Sequence, residues 1–115
     1  MASAFKNMGM TLTGEDNASS NFYTAGGSVT AVVHALYITN KSSTNVGKVN
    51  VKVTTDGGTT FYHTAKDIEI SSNNTLTLDK PINLENNDIL RVYASPNPDS
   101  SSTDMEVFAS ILEVS

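Results

Sequence analysis

Val49-Asn50-Val51-Lys52-Val53-Thr54-Thr55-Asp56-Gly57-Gly58-Thr59-Thr60-Phe61 reads as a strand, a tight turn and the return strand. The three valines alternate with Asn50 and Lys52, the period-two pattern of a strand with one face buried and the other wet. Asp56-Gly57-Gly58 then supplies residues that tolerate positive φ where a hairpin reverses. The stretch predicts an all-β chain.

Upstream, Val29-Thr30-Ala31-Val32-Val33-His34-Ala35-Leu36-Tyr37-Ile38-Thr39 is apolar on both faces, as a central strand covered on each side would be. Its β-branched residues, its tyrosine and the lack of a cap pair argue against a buried helix. Downstream, Ile68 and Ile70 mark a short strand, Ser71-Ser72-Asn73-Asn74 a turn, and Leu76 with Leu78 another alternating strand. Pro81 and Glu85-Asn86-Asn87-Asp88 precede a strand over Ile89–Ala94, and Met105–Val114 closes the chain. Seven or eight short antiparallel strands with regular turns predict a single β-sandwich over residues 29–115, of jelly-roll or Greek-key connectivity. An Ig-like topology is the alternative, and a small closed barrel the second architecture.

Residues 1–28 are weakly patterned and read as an N-terminal arm with one or two short strands. Phe5, Met8, Met10 and Leu12 are its apolar residues and the candidate assembly contacts. An arm that orders on contact wraps more surface than a rigid face, and flexible methionines fill irregular grooves. Their competing role is the first strand of the same domain.

Composition narrows the function by exclusion. The 115 residues suffice for one core. There is no cysteine, so thiol catalysis, zinc–thiolate sites and disulfide scaffolds fall together. A net charge of -5 argues against nucleic acid as a partner. No apolar run approaches the roughly 20 residues that cross a bilayer, and Met1-Ala2-Ser3-Ala4-Phe5-Lys6 lacks an apolar signal core. A soluble protein made in a cytoplasm, without a membrane partner, is expected. Lysines dominate residues 1–66 and carboxylates residues 67–115, an asymmetry that a sandwich can intersperse in space.

No constellation carries chemistry. Thr54, Asp56, Gly58, Thr60 and Phe61 resemble the Asp-box hairpin of sialidase-like propellers, a structural device that occurs here once. Asp56, Gly57, Gly58 and Phe61 are therefore assigned to the turn, with Asp56 accepting backbone N–H bonds and Phe61 anchoring it to the core. His34 and His63 have no local catalytic or ligand companion, and Arg91 is expected to pair with an acidic neighbour or a partner subunit. Asp99 and Asp104, in the disorder-like loop Ser95–Asp104, lack the spacing and glycine of an EF-hand. Three asparagine sequons, at Asn17, Asn40 and Asn73, fit a polar surface better than glycosylation without a secretion signal. There is no nucleophile elbow and no phosphate-cradling loop, so no enzyme, metal or cofactor is expected. A glycan-binding module would need an exposed aromatic platform, for which Tyr23, Tyr37, Tyr62 and Tyr93 are the tyrosine candidates.

Ala35-Leu36-Tyr37-Ile38-Thr39-Asn40, the Val49–Phe61 hairpin, Leu76–Leu84, Asp88–Val92 and Val107–Val114 together resemble small virion structural proteins of tailed bacteriophages. The resemblance spans residues 29–115. It implies a non-enzymatic subunit that decorates or cements a capsid, or else a tail or fibre adaptor. It further implies the major capsid protein or other virion proteins as partners, a homo-oligomer such as a trimer, and residence in the virion after synthesis in the bacterial cytoplasm. A carbohydrate- or host-surface-binding module is the further alternative.

Overall fold

In the computed structural model, which describes residues 3–94 and 105–114, the strands in chain order are β1 (Ser3–Thr11), β2 (Asn21–Thr24), β3 (Thr30–Asn40), β4 (Gly47–Thr54), β5 (Phe61–Ile70), β6 (Asn74–Leu78), β7 (Ile82–Leu84), β8 (Ile89–Ala94) and β9 (Met105–Val114). One sheet runs β1, β9, β3, β6, with β7 also paired to β3; the other runs β2, β8, β4, β5. All pairings are antiparallel, and the two sheets pack face to face as a sandwich. One turn of 3₁₀ helix, Ala18–Ser20, precedes β2. The Ser95–Asp104 loop and its two carboxylates lie outside the described residues.

The residues read as an arm supply an edge strand to each sheet. Ser3–Thr11 pairs with β9 in unbroken register, and Asn21–Thr24 pairs with β8. Leu12 is fully buried in the common core, while Met8 and Met10 pack against it half-buried. At the margin between the sheets, the Tyr23 hydroxyl on β2 donates to Glu113 on β9, and Lys6 on β1 lies 3.8 Å from the same carboxylate. Burial, then this carboxylate, raises the Tyr23 pKa. These bonds tie β1, β9 and β2 together.

The core is filled by one face of each long strand. Val33, Leu36 and Ile38 from β3, Val49 and Val51 from β4, Leu90 and Val92 from β8, and Val107 and Ile111 from β9 are all buried. Each such side chain contributes about 1.5–3 kcal/mol relative to its exposed state. Asn40, read from sequence as a surface sequon, is buried too. Its Nδ2 donates to the Asn45 and Ile70 carbonyls, at 3.0 and 2.9 Å, and its Oδ1 accepts the Ser42 N–H at 3.0 Å. The amide thereby satisfies backbone groups where β3 ends, which a short apolar side chain could not do.

Three local expectations need correction. The β4–β5 hairpin closes through a six-residue loop, residues 55–60, rather than a tight turn. Ile68 and Ile70 belong to β5 itself, which continues through register shifts and carries Asp67 at φ 50. Asn50 and Lys52 are not on a wet face: both are buried, Asn50 with its Oδ1 accepting the Asp67 N–H at 2.9 Å and Lys52 in an ion pair with Asp16.

Candidate functional site

The pleat of β3 alternates between core and exterior, with a register shift between Val33 and Ala35. Only its inner face is covered. Outward stand Val32 and Ala35, half-buried, and Tyr37, 40% exposed. This corrects the expectation of a strand covered on both sides: an apolar sequence meets solvent on one face. β9 repeats the pattern, because Phe108 is 46% exposed and Leu112 half-buried on that same face. Phe5, paired to Leu112, is 84% exposed.

Register groups these residues in rows across the first sheet. One row runs Phe5, Leu112, Val32; another runs Gly9, Phe108, Tyr37. The Tyr37 and Phe108 rings lie 6.4 Å apart at 36°, a tilted aromatic pair. Beside them Gly9 leaves an open hollow of about 410 Å³, rimmed by Thr11, Thr39 and Glu106. A monomer normally hides such side chains or uses them, and here no described part of the chain covers them.

The outer face of the second sheet is closed by its own chain. β4, β8 and β2 align Lys52, Arg91 and Asn21 in one row. Asp16, from the loop joining β1 to β2, accepts from Lys52 Nζ at 2.7 Å and from an Arg91 guanidinium nitrogen at 3.0 Å. Arg91 Nε also donates to Asn21 Oδ1 at 2.8 Å. The Phe61 ring packs under both cations, 4.3 Å from the guanidinium carbon and 4.9 Å from the ammonium. Burial pushes the Asp16 carboxyl upward, but the Lys52 and Arg91 bonds outweigh it and hold its pKa below the usual range. Burial, then the Asp16 charge, raises the Tyr93 hydroxyl. The expected acidic partner of Arg91 is thus Asp16. Phe61 anchors these cations rather than the core.

The turn residues act largely as their types require. Asp56 Oδ1 accepts the N–H groups of Thr59 and Thr60, at 3.1 and 2.9 Å, and the Thr54 hydroxyl at 2.7 Å. The Thr60 N–H bond and then the Thr54 hydroxyl lower its pKa to about 2. Gly57 and Gly58 adopt φ 79 and 114, where a side chain would be strained. The histidines do not meet: His34 lies on β3 in one sheet and His63 on β5 in the other, both exposed. Among the described residues no three His, Cys, Asp or Glu side chains are grouped to hold a metal ion.

Of the four candidate assembly residues, only Phe5 is fully free to touch another molecule. Sequence reasoning missed Phe108 and gave Tyr37 no part in assembly, although the signal was present in the two-sided apolarity of both strands. Asp16 left no signal, since it lies 36 and 75 residues from the cations it joins. No protein-family model matches the chain, and comparisons with curated proteins and with solved structures give no match.

Proposed function

We propose that this chain is a non-enzymatic structural subunit of a bacteriophage virion, a capsid decoration or cement protein, that docks through the outer face of its first sheet. The observation that carries the assembly reading is the uncovered set Phe5, Val32, Tyr37, Phe108 and Leu112 on that face. The virion reading draws on the resemblance of residues 29–115 to small virion proteins. Contact with the major capsid protein or another virion protein would bury the aromatic rings, the side-chain type most enriched at interface centres.

The test is co-sedimentation of purified protein with particles recovered from the host that produces it, alongside Tyr37→Glu/Phe108→Glu. The parent incorporates stoichiometrically and the double variant does not, although it stays folded by circular dichroism and unfolds cooperatively. Equal incorporation of the two would refute the docking face, and absence of the chain from particles would refute the virion reading. Position and copy number in imaged particles separate capsid decoration from a tail or fibre adaptor.

One feature favours a second reading, as a carbohydrate-binding module. Tyr37 and Phe108 flank a hollow whose rim carries hydroxyls and a carboxylate, groups that stack on and hydrogen-bond to sugars. Glycan-array binding lost in Tyr37→Ala, without particle binding, would select it.

A further inference from the structure

The four sheet margins differ in how they are protected against pairing with another chain. β2 is four residues long and irregular, and β7 and β6 are short and separated by Pro81. β5 is long, but register shifts bend it and it carries Lys66, Asp67 and Glu69. Such devices block edge-to-edge association. β1 has none of them. It runs nine residues in unbroken register with β9, without proline, and its only charge, Lys6, is already paired with Glu113.

The direction of its free backbone groups follows from one bond. The Leu12 N–H donates to the Met105 carbonyl at 2.9 Å, in the register that continues β1 against β9. Antiparallel strands alternate the side to which each residue turns its N–H and C=O. Leu12 and the even-numbered residues of β1 therefore face β9, and Ser3, Phe5, Asn7, Gly9 and Thr11 face the edge that no described strand covers. Those odd-numbered residues also project their side chains to the outer face of the sheet, alongside Phe108 and Leu112.

We infer that β1 pairs antiparallel with β1 of a second copy of this chain, about a two-fold axis at Asn7, making one continuous sheet. The strand is self-complementary in that register: Asn7 meets Asn7, Ser3 meets Thr11, and Phe5 meets Gly9. Each Phe5 then lies over the glycine of the other copy, next to Phe108 and Tyr37, in the hollow that Gly9 leaves open. An aromatic ring laid across a cross-strand glycine restores packing that the glycine lacks. The row becomes Phe5 of one copy, then Gly9, Phe108 and Tyr37 of the other. The same step satisfies the free N–H and C=O groups and covers the most exposed large apolar side chain of the described residues.

The pairing stands on β1 and the hollow beside Gly9, and does not rest on the virion reading. Sedimentation of the full chain over a concentration series gives a dimer. Asn7→Pro removes an N–H that faces the open edge, so β1 keeps its bonds to β9 while dimer dissociation rises on the order of a hundredfold. The chain lacks cysteine, so single substitutions report register: Asn7→Cys forms an intermolecular disulfide on oxidation, because facing Cα atoms about 5.5 Å apart are within its reach. Ser3→Cys, which faces Thr11, does not. A monomer or trimer at all concentrations overturns the inference, as does equal cross-linking of the two cysteine variants. Particle incorporation of a monomeric chain would overturn the pairing alone; a dimer that ignores particles would overturn the virion reading alone.

Discussion

The two outer faces of the sandwich begin from similar strands and end in opposite states. On the second sheet, the central strands place Lys52 and Arg91 outward, and the chain returns a loop to cover them with Asp16. On the first, β3 and β9 place Val32, Tyr37, Phe108 and Leu112 outward, and no described segment returns. The difference separates a face whose polar groups are satisfied within the chain from one that keeps apolar area exposed. A charged row satisfied internally to this degree, with an aromatic ring beneath it, has little left to offer a partner. An apolar row with free area retains the hydrophobic gain that association can collect.

The strongest way to break this contrast is to remove the closure on the second sheet. Asp16→Ala leaves two largely buried cations without their carboxylate. Losing one partner of a buried pair costs several kcal/mol, and because the Asp16 side chain is 40% exposed we expect about 2 kcal/mol. Urea denaturation measures it, and particle incorporation of the folded variant should stay at the parent level. A loss below about 0.5 kcal/mol, the range of ordinary surface substitutions, would mean the cluster does not hold the face closed.

A smaller effect is expected beneath the same cations. Phe61→Leu keeps apolar bulk but removes the ring faced by Arg91 and Lys52, at a cost of about 1 kcal/mol. The change should be reduced in an Asp16→Ala background, where the cations are no longer fixed over the ring. Full additivity in a double-mutant cycle would place Phe61 outside the cluster.

What the sequence revealed follows the range of the interactions. The fold class was legible at β4 and β5 because, among the described residues, they are the only ladder neighbours that are consecutive in the chain. β8 and β9 could be bounded from their own apolar runs. The pairing of Ser3–Thr11 with β9 could not, because it joins opposite ends of the chain and β1 carries only half of an alternating pattern. The same limit hid the cation cluster. Lys52 looked like a solvent-facing lysine because its carboxylate comes from a loop with no pattern of its own. The proposed docking face was written in β3 as apolarity on two sides, and only the fold showed that one side is left uncovered by any described segment. Lysines of the first half meeting Glu106 and Glu113 of β9 likewise turn a charge asymmetry along the chain into local pairs.

Acid should act unequally on the two faces. Asp56 holds Thr59 and Thr60 as a carboxylate, and its folded pKa is depressed from 3.8 to about 2. A depressed carboxyl contributes its stabilisation fully above the unfolded value, and that contribution declines below 3.8 until it is gone once pH has fallen through about 2. Asp16 shifts in the same direction, so both act on the second sheet and its hairpin loop. The Thr59 and Thr60 amide resonances should titrate together with a midpoint near 2 and lose that transition in Asp56→Asn. A midpoint near 4 would show that the two N–H bonds do not persist in solution. The residues that meet across the β1 pair, Ser3, Phe5, Asn7, Gly9 and Thr11, include no carboxylate, and the Lys6–Glu113 pair lies on the other face of the strand, so pairing through β1 should survive to lower pH than the order of the loop at 55–60. If self-association instead fails first as pH falls, charge rather than the bare face governs assembly, and the contrast between the two sheets is reversed.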